Sequence, residues 1–345
     1  MLDLLASIGW DAARDLEFAP YADAAVAGRV VRVDRSAVDV LTADNPLRIT
    51  PAATTGPLAV GDWIALAVDG RQWYVDALLE RRSAIRRASV RGDSAPHLLA
   101  TNVDVVLVAV PAVPDPRLAL AERLVALAWD SGATPLIVLT KVDLVPDPDG
   151  LADELRAAAP GVDVVAVSAT TPGGMEPLRS LLAPGITYCL IGRSGAGKST
   201  LVNSLLGEDR FDTTAIRDDG KGRHTTSFRE LVLLPDGAAL IDSPGLRGVG
   251  MWLDGDGLDR AFADVADLAT ECRFRDCSHR TEPGCAVLAA VEHGDVDERR
   301  LESWRKLQRE AAWMARRTDA RLRAEEARKW KAITLEMRRS RRARP

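Results

Sequence analysis

Residues 192–200 read GRSGAGKST and fit the pattern G-x4-G-K-[ST], which constrains the possible fold more than any other stretch of the chain. Glycines at these spacings let successive backbone N–H groups turn toward a phosphate. A helix opening just after them aims its positive dipole end at the same point. The motif therefore calls for a buried strand before it and a helix after it. Both are legible: ITYCLI (186–191) reads as a strand and KSTLVNSLLG (198–207) as a helix. In this reading Lys198 bridges the β- and γ-phosphates and acts in catalysis, and Ser199 ligates Mg²⁺. Gly192, Arg193, Ser194, Gly195, Ala196, Gly197 and Thr200 complete the cradle.

Two further motifs follow apolar runs. In IDSPG (241–245), Asp242 ends a strand, where a carboxylate can hold Mg²⁺ through water, and Gly245 can offer its N–H to the γ-phosphate. In LTKVD (139–143), Asp143 can accept two hydrogen bonds from the N1–H and exocyclic amine of guanine, a donor pair that adenine lacks. Thr140 opens this motif. Lys141 can lie along the base or brace the phosphate loop. SAT (168–170) also ends a strand, placing Ser168 nearby and the Ala169 N–H within reach of guanine O6. The nucleotide implied is GTP, which water converts to GDP and phosphate.

The order of these motifs is reversed, because in most GTP hydrolases the phosphate loop comes first and the base motif last. Here the base motif precedes the loop by about fifty residues. A circular permutation explains this, since domain termini lie at the surface and often close together. The segment after Gly245 then leads directly into the C-terminal region, so nucleotide state is expected to pull on whatever follows.

The rest of the chain divides around this unit. From 102 to 245, Val/Ile/Leu runs alternate with amphipathic stretches, the pattern of a mainly parallel sheet covered on both faces. Residues 26–80 read as short strands punctuated by Gly, Asp and Pro, which suggests a small β-barrel, an OB-fold being one candidate. RRSAIRRASVRGDSAPH (81–97) reads as an irregular basic linker. Cys272, Cys277, His279 and Cys285 pack four ligands into fourteen residues, which suits one closed, tetrahedral, structural Zn²⁺. Cys189, inside the strand before the phosphate loop, reads as core. Leu301, Trp304 and Leu307 stand at helical spacing.

Charge is unevenly spread. The chain of 345 residues has a net charge of −5, yet from Arg299 onward it holds 17 Lys/Arg against 6 Asp/Glu. A basic end on an acidic body suggests a polyanionic partner; a solvated helix packing Trp304 and Trp313 inward is the alternative. Residues 1–82 hold 12 acids and 8 bases, so the barrel lacks a basic footprint. Trp63, Trp73 and Tyr74 can stack on bases or fill the core. Arg273, Arg275 and Arg280 can meet RNA phosphate or stand solvated. No apolar run approaches the roughly 18 residues of a membrane span, and MLDLLASIGWDAARD has no basic n-region. The expectation is a cytoplasmic protein.

The permuted order, the preceding barrel and the Cys/His cluster together resemble the ribosome small-subunit-dependent GTPase A family, over about residues 20–300. The resemblance implies a multidomain chain: an OB-type β-barrel (1–90), a circularly permuted α/β P-loop GTPase domain (91–250), a zinc-binding domain (251–300) and a basic helical extension (301–345). It implies a GTP hydrolase that binds the 30S ribosomal subunit and 16S rRNA and assists late small-subunit maturation. Hydrolysis is then stimulated by the subunit and coupled to release, with the protein acting as a monomer. An RNA-binding assembly factor using GTP only as a clamp is the alternative. The first switch corresponds to DDGKGRHTTSFRE (218–230), where Thr225 or Thr226 binds Mg²⁺, Thr226 being favoured. His224 matches the family's GRHTT histidine and is assigned a catalytic role, because Leu246 stands where many GTPases carry a water-orienting Gln; a loop histidine satisfied by a neighbour is the other reading. The family's base motif usually opens with Asn, whose side chain braces neighbouring loops, and Thr140 is expected to lose that brace.

Overall fold

The computed structural model describes residues 4–52, 55–87, 97–211, 230–242 and 256–318. Two short helices open it, α1 (Leu4–Ser7) and α2 (Ala12–Phe18). Five strands follow: β1 (Val26–Val33), β2 (Val38–Thr42), β3 (Pro46–Ile49), β4 (Trp63–Asp69) and β5 (Gln72–Leu78). A ribbon of β6 (Ala84–Arg87) and β7 (His97–Thr101) leads to β8 (Val105–Pro111), α3 (Leu118–Asp130), β9 (Thr134–Thr140), α4 (Pro148–Ala158), β10 (Val164–Val167) and α5 (Glu176–Arg179). Then come β11 (Thr187–Gly192), α6 (Lys198–Leu206), β12 (Glu230–Leu233) and β13 (Ala239–Asp242), and finally α7 (Asp256–Ala261), α8 (Ala263–Thr270), α9 (Ala286–His293) and α10 (Glu298–Thr318).

The central sheet runs β10-β9-β8-β11-β13-β12, parallel throughout except for β12, which is antiparallel to β13. Its strands are apolar at almost every position because both faces are covered. Val106, Val108, Val110, Cys189 and Ile191 face one core with Leu124, Val125 and Leu127 of α3. Their neighbours Leu107, Ala109 and Leu190 face the opposite core with Leu201, Val202 and Leu205 of α6. The period-two alternation of a strand thus assigns each residue to a side.

The N-terminal strands run β5-β4-β1-β2-β3 around Val30, Val38, Val40, Ile49, Ile64 and Leu66. Bulges at Val30/Arg32 and Ala65/Leu66 curl them, although among the described residues no pairing joins β3 to β5. The sequence suggested a small barrel here; β1 also pairs with β12 through Arg32 and Glu230, which joins this unit to the edge of the central sheet. Trp63 is buried with Trp10 edge-on at 5.0 Å, which removes it as a base-stacking platform; Trp73 is half-buried and Tyr74 exposed. Buried Arg29 on β1 donates to Thr187 Oγ1 (2.9 Å) at the foot of β11, to the Asn102 carbonyl (3.0 Å) and to the Ile8 carbonyl. A buried cation is tolerable when hydrogen bonds replace its water.

The linker reading is corrected at both ends of 81–97. β6 and β7 pair from Ala84–Thr101 to Arg87–His97, with Ile85 and Leu99 buried, and the residues between them lie outside the described residues. On β6 the one buried side chain, Ile85, stands among arginines and polar residues, so that half of the ribbon shows no alternation in the sequence.

The C-terminal region is fastened to α3 at two points. A Cβ on Gly257 would fall 2.3 Å from the Asp130 nitrogen and 2.4 Å from the Ala126 carbonyl oxygen, so only glycine lets α7 approach so closely. Arg300, buried at the start of α10, binds both Asp264 carboxylate oxygens (2.7 and 2.6 Å) and Glu122 of α3 (3.3 Å), and donates to the Ala261 carbonyl (2.9 Å). Arg299 meets both oxygens of Glu122 at 3.1 Å. Burial raises the Glu122 pKa, and these arginines and Ser303 oppose it. Two charges counted in the basic end are therefore used inside the molecule. Leu301, Trp304 and Leu307 are buried as their spacing predicts, but Trp313 is 50% exposed rather than packed inward.

Candidate nucleotide site and metal centre

Strand register brings the motifs to one edge. Gly192 pairs with Ala109, Thr140 with Pro111 and Val167, and Leu190 with Asp242. The loops after β11, β9, β10 and β13 all leave at the carboxyl ends of parallel strands, where ligands of such sheets bind. The base motif and SAT lie over β9 and β10, and the phosphate loop and Asp242 over β11 and β13.

Gly192 has φ 152°, and a Cβ there would fall 2.6 Å from the Ala109 carbonyl oxygen, which accounts for glycine at the strand-to-loop corner. Gly197 (φ 83°) precedes α6, which begins at Lys198 and carries Ser199 and Thr200 in its first turn. Lys198 Nζ donates to the carbonyls of Gly192 (2.9 Å) and Arg193 (2.8 Å). Ser194 and Gly195 are exposed, and Ala196 is buried beneath them.

The base motif is tied directly to this loop. Thr140 Oγ1, buried, donates to the Ala196 carbonyl at 2.7 Å, and Lys141 Nζ donates to the Gly195 carbonyl at 2.7 Å. The brace expected to vanish with Asn is thus supplied by the threonine hydroxyl, and of the two readings of Lys141 the bracing one is realised. Thr140→Val keeps the shape and removes one hydrogen bond worth about 1 kcal/mol. The expected result is roughly fivefold weaker binding of a fluorescent GDP analogue; unchanged affinity would show that the brace is dispensable.

Asp143 sits exposed in a short 3₁₀ turn, Val142–Leu144. A hydrogen bond from Ser168, and a second from Thr170 Oγ1 at 3.3 Å to Oδ2, lower its pKa and hold the carboxylate ionised. Thr170, exposed at the end of SAT, is a partner that the sequence reading did not single out. Ala169 is half-buried beside it. Asp242 is buried at the end of β13. His224, Thr225, Thr226 and Gly245 lie outside the described residues.

The Cys/His cluster closes as the spacing predicts. The donor atoms of Cys272, Cys277, His279 and Cys285 lie within 4.8 Å of one another. Cys272 Sγ and Cys285 Sγ are 3.8 Å apart, and each is 3.4 Å from His279 Nδ1. Sulfurs about 2.3 Å from a tetrahedral Zn²⁺ would stand roughly 3.8 Å apart, so the donor set and its spacing fit that ion. Burial and then the Arg305 charge lower the His279 pKa, favouring the neutral imidazole that metals take. Cys285 also caps α9, its Sγ accepting from the Leu288 N–H at 3.4 Å, which places the sulfur at a helix N-terminus. Glu282 was not visible from spacing. Its carboxylate accepts from the amides of Ser278 (3.0 Å), Arg280 (2.9 Å) and Thr281 (3.0 Å) and from the Ser278 hydroxyl. These bonds hold its pKa well below the usual range and fix the turn that carries His279.

The comparisons agree with this geometry. The sequence matches the RsgA GTPase family over residues 78–252. A small ribosomal subunit biogenesis GTPase RsgA of Streptomyces coelicolor is 52% identical over 337 residues, covering 95% of this chain and 92% of that protein. A protein of the same name from Methanosarcina acetivorans is 36% identical over 344 residues, covering 96% and 92%. Among solved structures, YjeQ from Thermotoga maritima superposes with TM-score 0.63 at 25% identity over 83% of this chain and 98% of that one. YloQ, a circularly permuted GTPase, superposes with TM-score 0.58 at 24% identity over 83% and 95%, and bears on the fold alone.

Proposed function

The chain belongs to the RsgA GTPase family, and from that premise we propose that it is a GTP hydrolase of small ribosomal subunit biogenesis that binds the 30S subunit through 16S rRNA, is stimulated by it, and leaves it after hydrolysis. The enzyme class follows from the family; the partner, the stimulation and the release are the proposal. The observation that carries the site reading is the pair of contacts from Thr140 and Lys141 to the carbonyls of Ala196 and Gly195, which set the base motif against the phosphate loop.

In this proposal Asp143, oriented by Ser168 and Thr170, accepts from the guanine edge, and Ala169 offers its N–H to O6. The N–H groups from Gly192 to Thr200 cradle the phosphates. Lys198 stabilises charge on the transferring phosphoryl group. Ser199, Asp242 and Thr226 would hold the magnesium of the nucleotide, which neutralises phosphate charge when bound. Gly245 offers its N–H to the γ-phosphate, and His224 orients the attacking water. Cys272, Cys277, His279 and Cys285 hold a structural zinc. The curled N-terminal sheet is read as an OB-type unit within 1–90, followed by the GTPase domain to 250, the zinc domain to 300 and the helical extension beyond. Among the described residues no helix is long and apolar enough to cross a membrane; a monomer in the cytoplasm is the setting proposed.

Phosphate release with GTP and with ATP, each with and without purified 30S subunits, tests the proposal. Turnover of GTP alone, raised by 30S, is the expected result. Slow turnover that 30S leaves unchanged would favour the clamp reading instead. His224→Ala should abolish most of the stimulated rate, a loss of about 10²–10⁴ for a general catalyst; stimulated turnover at the wild-type rate would remove His224 from the mechanism. Asp143→Asn replaces an acceptor with a donor, so preference should pass from GTP to XTP, whose ring presents a carbonyl where guanine has its amine. Retained preference for GTP in a competition assay would displace Asp143 from the base site.

A further inference from the structure

Guanine offers a protein two edges. One carries the N1–H and amino donors; the other carries N7, an acceptor on the imidazole half of the ring. A guanine held by Asp143 at the first edge, with its phosphates in the loop, lays its imidazole half between the two, because the sugar leaves from that half. Thr140 and Lys141 stand in this interval, three and two residues before Asp143, and both are bonded to the phosphate loop. They are the side chains placed to meet N7.

Thr140 has nothing to give it. A carbonyl only accepts, so the 2.7 Å bond to Ala196 fixes the direction of the Thr140 hydroxyl and uses its one proton. The residue is buried, and only oxygen lone pairs remain. N7 is itself a lone pair, so no hydrogen bond joins the two. Lys141 holds its ammonium on the Gly195 carbonyl at 2.7 Å. The hydroxyls of Ser168 and Thr170 serve the Asp143 carboxylate. Among the described residues, each hydroxyl and ammonium of these two motifs is thus engaged within the protein.

Taking the guanine site as proposed above, we propose that this protein reads the base at its Watson–Crick edge and O6 and leaves N7 unread, with Thr140 setting that tolerance. The substrate class widens accordingly to 7-deazaguanine nucleotides, in which a C–H replaces N7. A site rejects an analogue where one of its own polar groups loses a partner, and this replacement takes no partner from Thr140.

Competition against a fluorescent GDP analogue on the full chain tests this, with GDP, 7-deaza-GDP and ADP as competitors. The unaltered protein should bind GDP and 7-deaza-GDP within about twofold of each other, less than one hydrogen bond is worth. Thr140→Asn brings a second N–H, since a carboxamide can donate to the Ala196 carbonyl and to N7 together. It should favour GDP over 7-deaza-GDP by roughly fivefold. Thr140→Val, which loses the brace alone, should weaken both by the same factor. A preference of fivefold or more for GDP in the unaltered protein overturns the proposal, and that comparison stands even if Thr140→Asn does not fold. Parity in a folded Thr140→Asn chain also overturns it, by placing the side chain away from N7. Displacement by ADP equal to that by GDP would instead sink the guanine site itself, so the two failures are told apart.

Discussion

Lys198→Ala is expected to lower the turnover number for GTP by about 10²–10³, the usual loss when one preorganised charge facing a transition state is removed. Lys198 is placed at the start of α6, and its ammonium sits 2.9 and 2.8 Å from the first two carbonyls of the loop. Alanine therefore removes both a positive charge and the partner of those carbonyls. The larger part of the loss should fall on turnover, because in the proposed site the backbone cradle and Asp143 would continue to bind the nucleotide. Lys198→Arg retains charge but not the compact ammonium, and should not restore the rate. Steady-state kinetics separates the two quantities; turnover within threefold of wild type in the alanine variant would remove Lys198 from the chemistry.

Cys285→Ala should eliminate bound zinc and unfold the segment from Cys272 through α9. Structural zinc in small modules binds with an apparent free energy of about 10–16 kcal/mol, comparable to the roughly 5–15 kcal/mol that stabilises a whole domain. Here the ion would join the end of α8 to the start of α9 across a turn held by Glu282, and so fix the loop from which Val287 and Ala290 of α9 reach the core. The same change removes the cap that Sγ gives the Leu288 N–H. Elemental analysis should fall from one zinc per chain to none, and protease cuts should appear between residues 272 and 293. Affinity for GDP should persist, because the phosphate loop is built on a different part of the sheet. A chelated chain that resists protease like the intact one would show that the cluster is not a folding element.

Much of this was readable in advance because the informative signals are local. The phosphate loop, the two strand-end motifs and the four metal ligands are each contained in a short window, and their order alone revealed the permutation. Signals that depend on distant partners were not readable. Nothing around Glu122 announces that it will be buried against Arg299 and Arg300, 177 and 178 residues away. Thr140 looked like the loss of a brace because its acceptor, a backbone carbonyl 56 residues on, carries no sequence signature. The ribbon of β6 and β7 was hidden because Ile85, the one buried residue of β6, is embedded in a basic stretch. The joint between Arg32 and Glu230 could not be foreseen, since strand pairing across two units is set by register, not composition.

The double fastening of the C-terminal region to α3 has a mechanical consequence. Asp242 ends a strand of the central sheet, and Gly257 is pressed into α3 of the same body. With both flanks held on one body, the pull expected of the nucleotide state on the C-terminal region would have to overcome the close packing of Gly257 on α3 and the ion pairs of Arg300.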